Sequence, residues 1–213
     1  MKKKKWGWIA SLLLFFVLSG VYTQQSVAAA AAQTATLRIV STTDLHGKVS
    51  KMYYDTGTEK NGCLAQDYTL IENAKEEVGA SNVLTVDIGD SMYGYSADYV
   101  LNHSADETVQ PVYKAMAAVG YDAITLGNHD FDYGFPYLKR QLELSGLADK
   151  CVLSNVVDAD TGKTVWDETK IITKQLTTSK GKIVNVKIGL IGVTKPCLSE
   201  ATECKDDIAA WEK

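Results

Sequence analysis

Proline is scarce, three in 213 residues, which argues against long proline-rich disordered linkers. Cysteine is sparse and scattered: Cys63, Cys151, Cys197 and Cys204 make no C-x-x-C, so the spacing of a thiolate zinc site is missing. In an exported protein Cys197 and Cys204 could close a small surface loop, and the sequence leaves that pairing open. Positive charge is also short, with a formal net charge of −4. A chain without a basic stripe is a poor partner for a nucleic-acid polymer, so any anionic substrate must be held by metal ions or by local donors. No internal repeat is present.

What the chain does have is apolar residues, 46% of the total, enough for one sizeable core and a tail. Lys2 to Lys5 precede an almost wholly apolar run from Trp6 to Val21, which relaxes into Ala28 to Ala32. That is the plan of a secretory signal peptide over residues 1–32, with cleavage near Ala32; the apolar core is short for a membrane anchor. The membrane is then met only during export, and the protein is expected in the cell envelope or outside the cell. The leader takes four lysines and no acids with it, which moves the formal charge from −4 to −8.

Over residues 33–213 the pattern alternates between strands and helices. Residues 37–40 read as a first strand running into Asp44-Leu45-His46-Gly47. Leu64, Tyr68, Ile71 and Val78 recur at helical spacing. Residues 83–88 form a second strand ending in Gly89-Asp90, with Asp87 expected as a hydrogen-bonded strand residue beside the site. Ser104 to Glu107 has the form of a capping box ahead of a helix carrying Val109, Val112, Tyr113 and Met116, and His103 falls in the loop before it. A third strand, 123–126, ends in Gly127-Asn128-His129-Asp130, where Gly127 permits a sharp exit from the sheet. Pro136 opens a further helix with Leu138 and Leu142 on its apolar face; residues 151–157 read as a fourth strand, and 169–176 and 182–193 as a hairpin. Such an order implies a covered, mainly parallel sheet of α/β class, with ligands held at the carboxyl ends of its strands.

The chemistry-bearing residues fall at that edge. Asp44 and His46 are two apart, so in extended chain both can face one cation. Alone the pair is weak. With Asp90, Asn128 and His129 from two other strand ends it makes a set of oxygen and imidazole donors suited to hard or borderline divalent cations.

These motifs resemble the calcineurin-like metallophosphoesterases: D-x-H at Asp44 and His46, G-D at Gly89-Asp90 and G-N-H-D at Gly127 to Asp130. Asp44 to Gly47 together with Gly127 to Gly134 is similar to the secreted 5′-nucleotidase and UDP-sugar hydrolase branch. Ser91-Met92-Tyr93-Gly94 follows the G-D where protein phosphatases of this kind carry V-D-R-G, and a branch acting on 2′,3′-cyclic nucleotides tends to carry Asn where this chain has Asp132. The resemblance implies a layered α/β fold of βαβ units with a mixed sheet, and two divalent ions such as zinc or manganese. Asp44 and His46 would hold one ion, Asp90 would bridge, and Asn128 would bind the second. It also implies that His129 faces the phosphate and leaving group, oriented by Asp132, which otherwise reads as a turn-capping aspartate.

One departure stands out. The family completes its metal site with two later histidines and stacks the nucleobase in a separate carboxy-terminal domain, whereas no histidine follows His129 here. The chain is therefore expected to be an amino-terminal part of the catalytic domain, incomplete at its carboxyl end and inactive by itself. The expected function is hydrolysis of phosphate from a nucleotide or nucleotide sugar. The alternatives are a 2′,3′-cyclic-nucleotide phosphodiesterase or UDP-sugar hydrolase of the same family, and a non-catalytic surface-binding module that kept the fold.

Overall fold

A computed structural model describes residues 33–53, 56–105, 107–158 and 161–195. The expected leader, and Cys197 and Cys204 whose pairing the sequence leaves open, lie outside the described residues. The described residues from Thr34 to Lys195 fall in one compact unit.

Three parallel strands carry the site: β1 (Arg38–Thr42), β4 (Val83–Asp87) and β5 (Ala123–Ile124), in the order β1-β4-β5. Arg38 pairs with Val83 and Thr42 with Asp87, while Val86 pairs with Ala123. This register brings all three strands to an end at one edge. The short strands β2 (Met52–Tyr53) and β3 (Thr58–Glu59) form a separate antiparallel pair.

Helix α1 (Leu64–Val78) spans the expected segment and buries Leu64, Ile71 and Ala74; Tyr68, expected on that face, stands 44% exposed. Helix α2 (Tyr95–His103) is not foreshadowed by apolar periodicity, because only Ala97 of its nine residues is buried. Consequently His103 closes a helix instead of lying in a loop. The expected capping box is also unused: Ser104 caps the carboxyl end of α2, and α3 (Pro111–Val119) starts at Gln110 with proline in its first turn. Proline fixes the first helical residue and keeps the residue before it out of helical conformation, so the start falls here and not at Ser104. Helix α3 buries Val112, Tyr113, Met116 and Val119 and stops at Gly120, which is left-handed at φ 80°. Helix α4 (Phe135–Ser145) buries Leu138 and Leu142 as expected. Tyr113, Met116, Tyr121, Phe131, Leu138 and Leu142 belong to one core between helices and sheet.

Residues 151–157 do not form the continuous fourth strand that their apolar run suggests. The backbone changes partner at each step: Val152 N–H donates to Ile124 O, Leu153 N–H to Asp167 O, and Ser154 N–H to Gly192 O. The hairpin β6 (Thr169–Thr177) and β7 (Ile183–Ile191) forms over nine paired positions. Asn82 ties it to the sheet: its amide donates to Thr36 O and Thr177 O, and its carbonyl accepts from Thr177 N–H. Ile39, Ile171, Ile183, Ile191 and Val193 are all more than half exposed.

Candidate metal and phosphoester site

Three loops meet where β1, β4 and β5 end. The first two zip together along their backbones: Asp44 N–H donates to Gly89 O at 3.0 Å, His46 N–H to Asp90 O at 3.0 Å, and Gly47 N–H to Ser91 O at 2.8 Å. The loops after β4 and β5 approach so closely that two glycines are required. A Cβ on Gly89 would sit 2.1 Å from Gly127 N, and one on Gly127 would sit 2.1 Å from Asp90 Oδ1. Gly127 is thus needed for this approach; it is not among the glycines at positive φ, so the sharp turn expected there is not its reason. The G-D and G-N-H-D motifs are two halves of one contact.

Asp130 fixes that contact. Its Oδ2 accepts from Asp90 N–H (2.8 Å) and Gly127 N–H (2.9 Å), and its Oδ1 accepts from Ser91 N–H (3.0 Å), Met92 N–H (2.8 Å) and the Tyr113 hydroxyl (3.0 Å). The carboxylate is fully buried, and burial raises its pKa against the pull of these donors. Sequence reasoning gave Asp130 no role. Asp87, one layer below, accepts from Gly89 N–H, from the Ser91 hydroxyl and, at 2.5 Å, from the Thr42 hydroxyl, as its strand position suggested. Burial, with the nearby Asp130 charge, pushes its pKa up to about 7.

On this frame Asp44, His46 and Asp90 each offer a ligand atom, all within 4.8 Å of one another. They are also the only non-glycine residues at positive φ among the described residues, at 55°, 46° and 56°. Left-handed backbone at an L residue is strained, and strain held in place by surrounding bonds gathers at functional positions. His46 Nε2 is buried without a hydrogen-bond partner, 3.8 Å from Asp44 Oδ1. An orphaned imidazole nitrogen facing carboxylates fits a divalent cation, which takes both donor types. Cys63 and Cys151 are buried free thiols outside this group, and burial pushes the Cys151 pKa far up, so it stays protonated.

His129 opens a single helical turn, His129–Phe131, with Asn128 at its head. The His129 N–H donates to Asp90 Oδ1 at 2.8 Å, and its Nδ1 lies 2.8 Å from Asp132 Oδ2. Paired with a carboxylate, Nδ1 carries the proton and Nε2 remains as the second working nitrogen. Tyr93, also unassigned from sequence, packs its ring 4.2 Å from that of His129 and 5.0 Å from that of His46. The geometry therefore brings Asp44, His46, Asp90, His129 and Asp132 together, and Asn128 sits at the same loop.

No family model matches the chain. A 2′,3′-cyclic-nucleotide 2′-phosphodiesterase/3′-nucleotidase from Yersinia enterocolitica is 37% identical over 171 residues, 78% of this chain and 26% of that protein. A 5′-nucleotidase from Vibrio vulnificus is 29% identical over 187 residues, 86% of this chain and 30% of that protein. The crystal structure of the calcineurin-like phosphoesterase YfkN from Bacillus subtilis superimposes with a TM-score of 0.72 at 29% identity, covering 84% of this chain and 54% of that one. The chain belongs to the calcineurin-like phosphoesterases, within the 5′-nucleotidase family. Relatives so named hydrolyse phosphoester bonds. The chain spans about a quarter of the length of the first of these relatives.

Proposed function

We propose that this chain supplies one half of a dimetal centre that hydrolyses phosphoesters of nucleotides outside the cytoplasm. The observation that carries the reading is the convergence of Asp44, His46 and Asp90 around an orphaned His46 Nε2, beside the His129–Asp132 pair. Asp44, His46 and Asp90 would hold one ion, and Asn128, at the head of the neighbouring turn, would offer an amide oxygen to a second that shares Asp90. Divalent ions bound there lower the pKa of water and neutralise phosphoryl oxygens. His129, oriented through Nδ1–H by Asp132, leaves Nε2 to face the leaving oxygen, to which the ring in its doubly protonated form gives the Nε2 proton while keeping the one at Nδ1. The two further histidines that the family resemblance supplies have no counterpart after His129 in this sequence, so the second ion is held weakly by this chain alone.

A non-catalytic binding module would not need this combination of strained ligands and a paired histidine. For the substrate, the cyclic-nucleotide phosphodiesterases are more similar in sequence than the 5′-nucleotidase, 37% against 29%. That favours a 2′,3′-cyclic nucleotide over the 5′-nucleotide expected from Asp132. Export rests on the lysine-led apolar leader, and amino-terminal sequencing of the mature protein tests it.

The experiment is manganese or zinc titration of residues 33–213 by calorimetry, with phosphate release from AMP and hydrolysis of 2′,3′-cyclic AMP measured on the product of the whole reading frame. One tight site and negligible turnover are expected for the chain alone. In the whole product, Asp90→Asn should lower the content of both metals, whereas His129→Ala should spare metal and lose about 10²- to 10⁴-fold in turnover. Equal metal loss in both variants overturns the roles, and two tight sites with brisk turnover from the chain alone overturn the half-centre.

A further inference from the structure

Three rings meet at the candidate site, and one of them is neither a ligand nor an acid. Tyr93 packs against His129 at 4.2 Å with 34° between the planes, and against His46 at 5.0 Å with 70° between them. The two imidazoles are themselves 5.5 Å apart at 78°. Tyr93 thus lies nearly face to face with one imidazole and steeply crossed to the other, filling the angle between them.

The backbone holds Tyr93 there from both sides. Met92, just before it, is fully buried and donates its N–H to Asp130 Oδ1 at 2.8 Å. Gly94, just after it, caps the amino end of α2, and Ser96 of that helix donates its hydroxyl to Gly47 O at 3.1 Å. Gly47 leaves the room for this, since a Cβ there would lie 2.2 Å from Ser96 Oγ and 3.0 Å from Tyr93 O. The bonds that join the loops after β1, β4 and β5 therefore also place the tyrosine ring. Met92 does the core packing; Tyr93 is only half-buried, and its ring neighbours are two groups that carry chemistry. Tyr93 and His46 also line a cavity of about 740 Å³, so losing the tyrosine ring would extend that space toward the imidazoles.

His129 needs such a neighbour. Its ring is tied to Asp132 at Nδ1, at 2.8 Å. A bond at one corner fixes that corner and still lets the ring tilt, and a tilt moves Nε2 on the far side. A second ring packed against its face opposes that motion.

We propose that Tyr93 is a positioning residue: its ring sets the tilt of His129 and its spacing from His46, and so aims Nε2 of His129 at the leaving oxygen. The proposal rests on the phosphoester reading of the site and gives the Tyr93 hydroxyl no part.

Two readouts test it, the first without metal or substrate. The chain has three histidines, His46, His103 and His129, so the ring resonances of carbon-labelled histidine in residues 33–213 can be assigned one by one. In the unaltered metal-free chain His129 should be a rigid ring with a nuclear Overhauser contact to His46. Tyr93→Leu should loosen that ring and weaken the contact, and Tyr93→Phe should restore both. His103, stacked on Tyr99 at 4.4 Å at the far end of α2, is the control whose signals should stay in place. The second readout is kinetic, on the product of the whole reading frame at saturating manganese. Tyr93→Leu should lower kcat for 2′,3′-cyclic AMP by about ten- to a hundredfold, the scale of a misplaced catalytic group, with KM little changed. Bis(p-nitrophenyl) phosphate releases nitrophenolate without needing a proton, so the same variant should lose far less with it. In a His129→Ala background Tyr93→Leu should cost nothing further. Equal losses on the two substrates, a further loss in the His129→Ala background, or an unaltered His129 ring in Tyr93→Leu overturns the positioning role. So does a shift of His103 as large as that of His129, which would make Tyr93 a prop of the fold. A whole product that cleaves no nucleotide is the separate failure of the phosphoester reading, and the resonances still decide for or against the ring geometry.

Discussion

Replacing Asp130 by Asn should dismantle the site without altering an atom that could touch metal or substrate. In the wild-type chain the two carboxylate oxygens receive five donors, two at Oδ2 and three at Oδ1. An asparagine must place its NH₂ group at one of the two positions, and the less costly choice is Oδ2. Asp90 N–H and Gly127 N–H then point at another donor, in a place closed to water. Leaving a buried donor unsatisfied costs about 1–3 kcal/mol, so the pair costs about 2–6 kcal/mol. That is a large share of the roughly 5–15 kcal/mol that holds a domain together. The loss also falls where the loops after β4 and β5 meet, so Asp90 is released. Urea denaturation followed by circular dichroism measures the stability change, and manganese titration under native conditions measures the site. Glu76→Gln on the exposed side of α1 is the control, expected within about 0.5 kcal/mol of wild type. An Asp130→Asn chain as stable as that control would show that these five contacts do not hold the loops.

Two further outcomes follow from the same network. Asp87 has a pKa raised from 3.8 to about 7, so between those values the folded chain keeps a proton that the unfolded chain has lost; stability should fall as pH rises through that window, by up to about 4 kcal/mol. Asp87→Asn should flatten this dependence, because an amide can donate to the Thr42 hydroxyl while that hydroxyl turns to Tyr121 Oη at 2.7 Å; denaturation midpoints across pH 4–8 that keep the wild-type slope would refute it. Gly127→Ala should weaken manganese binding at least tenfold with every ligand intact, since the new methyl would displace Asp90 Oδ1 or part the loops; unchanged affinity would show that the approach is not required.

What could be read from the sequence was whatever chemistry is local. Asp44 and His46 declare themselves by type and spacing, and α1 by its apolar period. The segments that escaped are governed by distant partners. Helix α2 buries almost nothing, so no period marks it, and residues 151–157 look like a strand but hand their hydrogen bonds to three different neighbours. The capping box at Ser104 lost to a proline seven residues on. Asp130 lies within a recognised motif, yet its work is to accept bonds from the β4 loop, the β5 loop and α3, which no stretch of ten residues could reveal.

The left-handed backbone at Asp44, His46 and Asp90 has a consequence for how this site could change. Glutamate or cysteine would bring ligand atoms of suitable chemistry, but neither is at home at positive φ, where Asp, Asn and His are the enriched side chains. The donors and the backbone therefore restrict one another, and ligands cannot be exchanged one at a time. Glycine at Asp44 or His46 would relieve about 1 kcal/mol or more of conformational cost, whereas at Asp90 the same relief is set against the loss of the Oδ1 partner of His129 N–H. A chain with no further use for the metal would have an easy downhill route, through glycine, to a quieter fold. This one keeps three side chains in the less comfortable state, so its ligands are maintained at the expense of its stability.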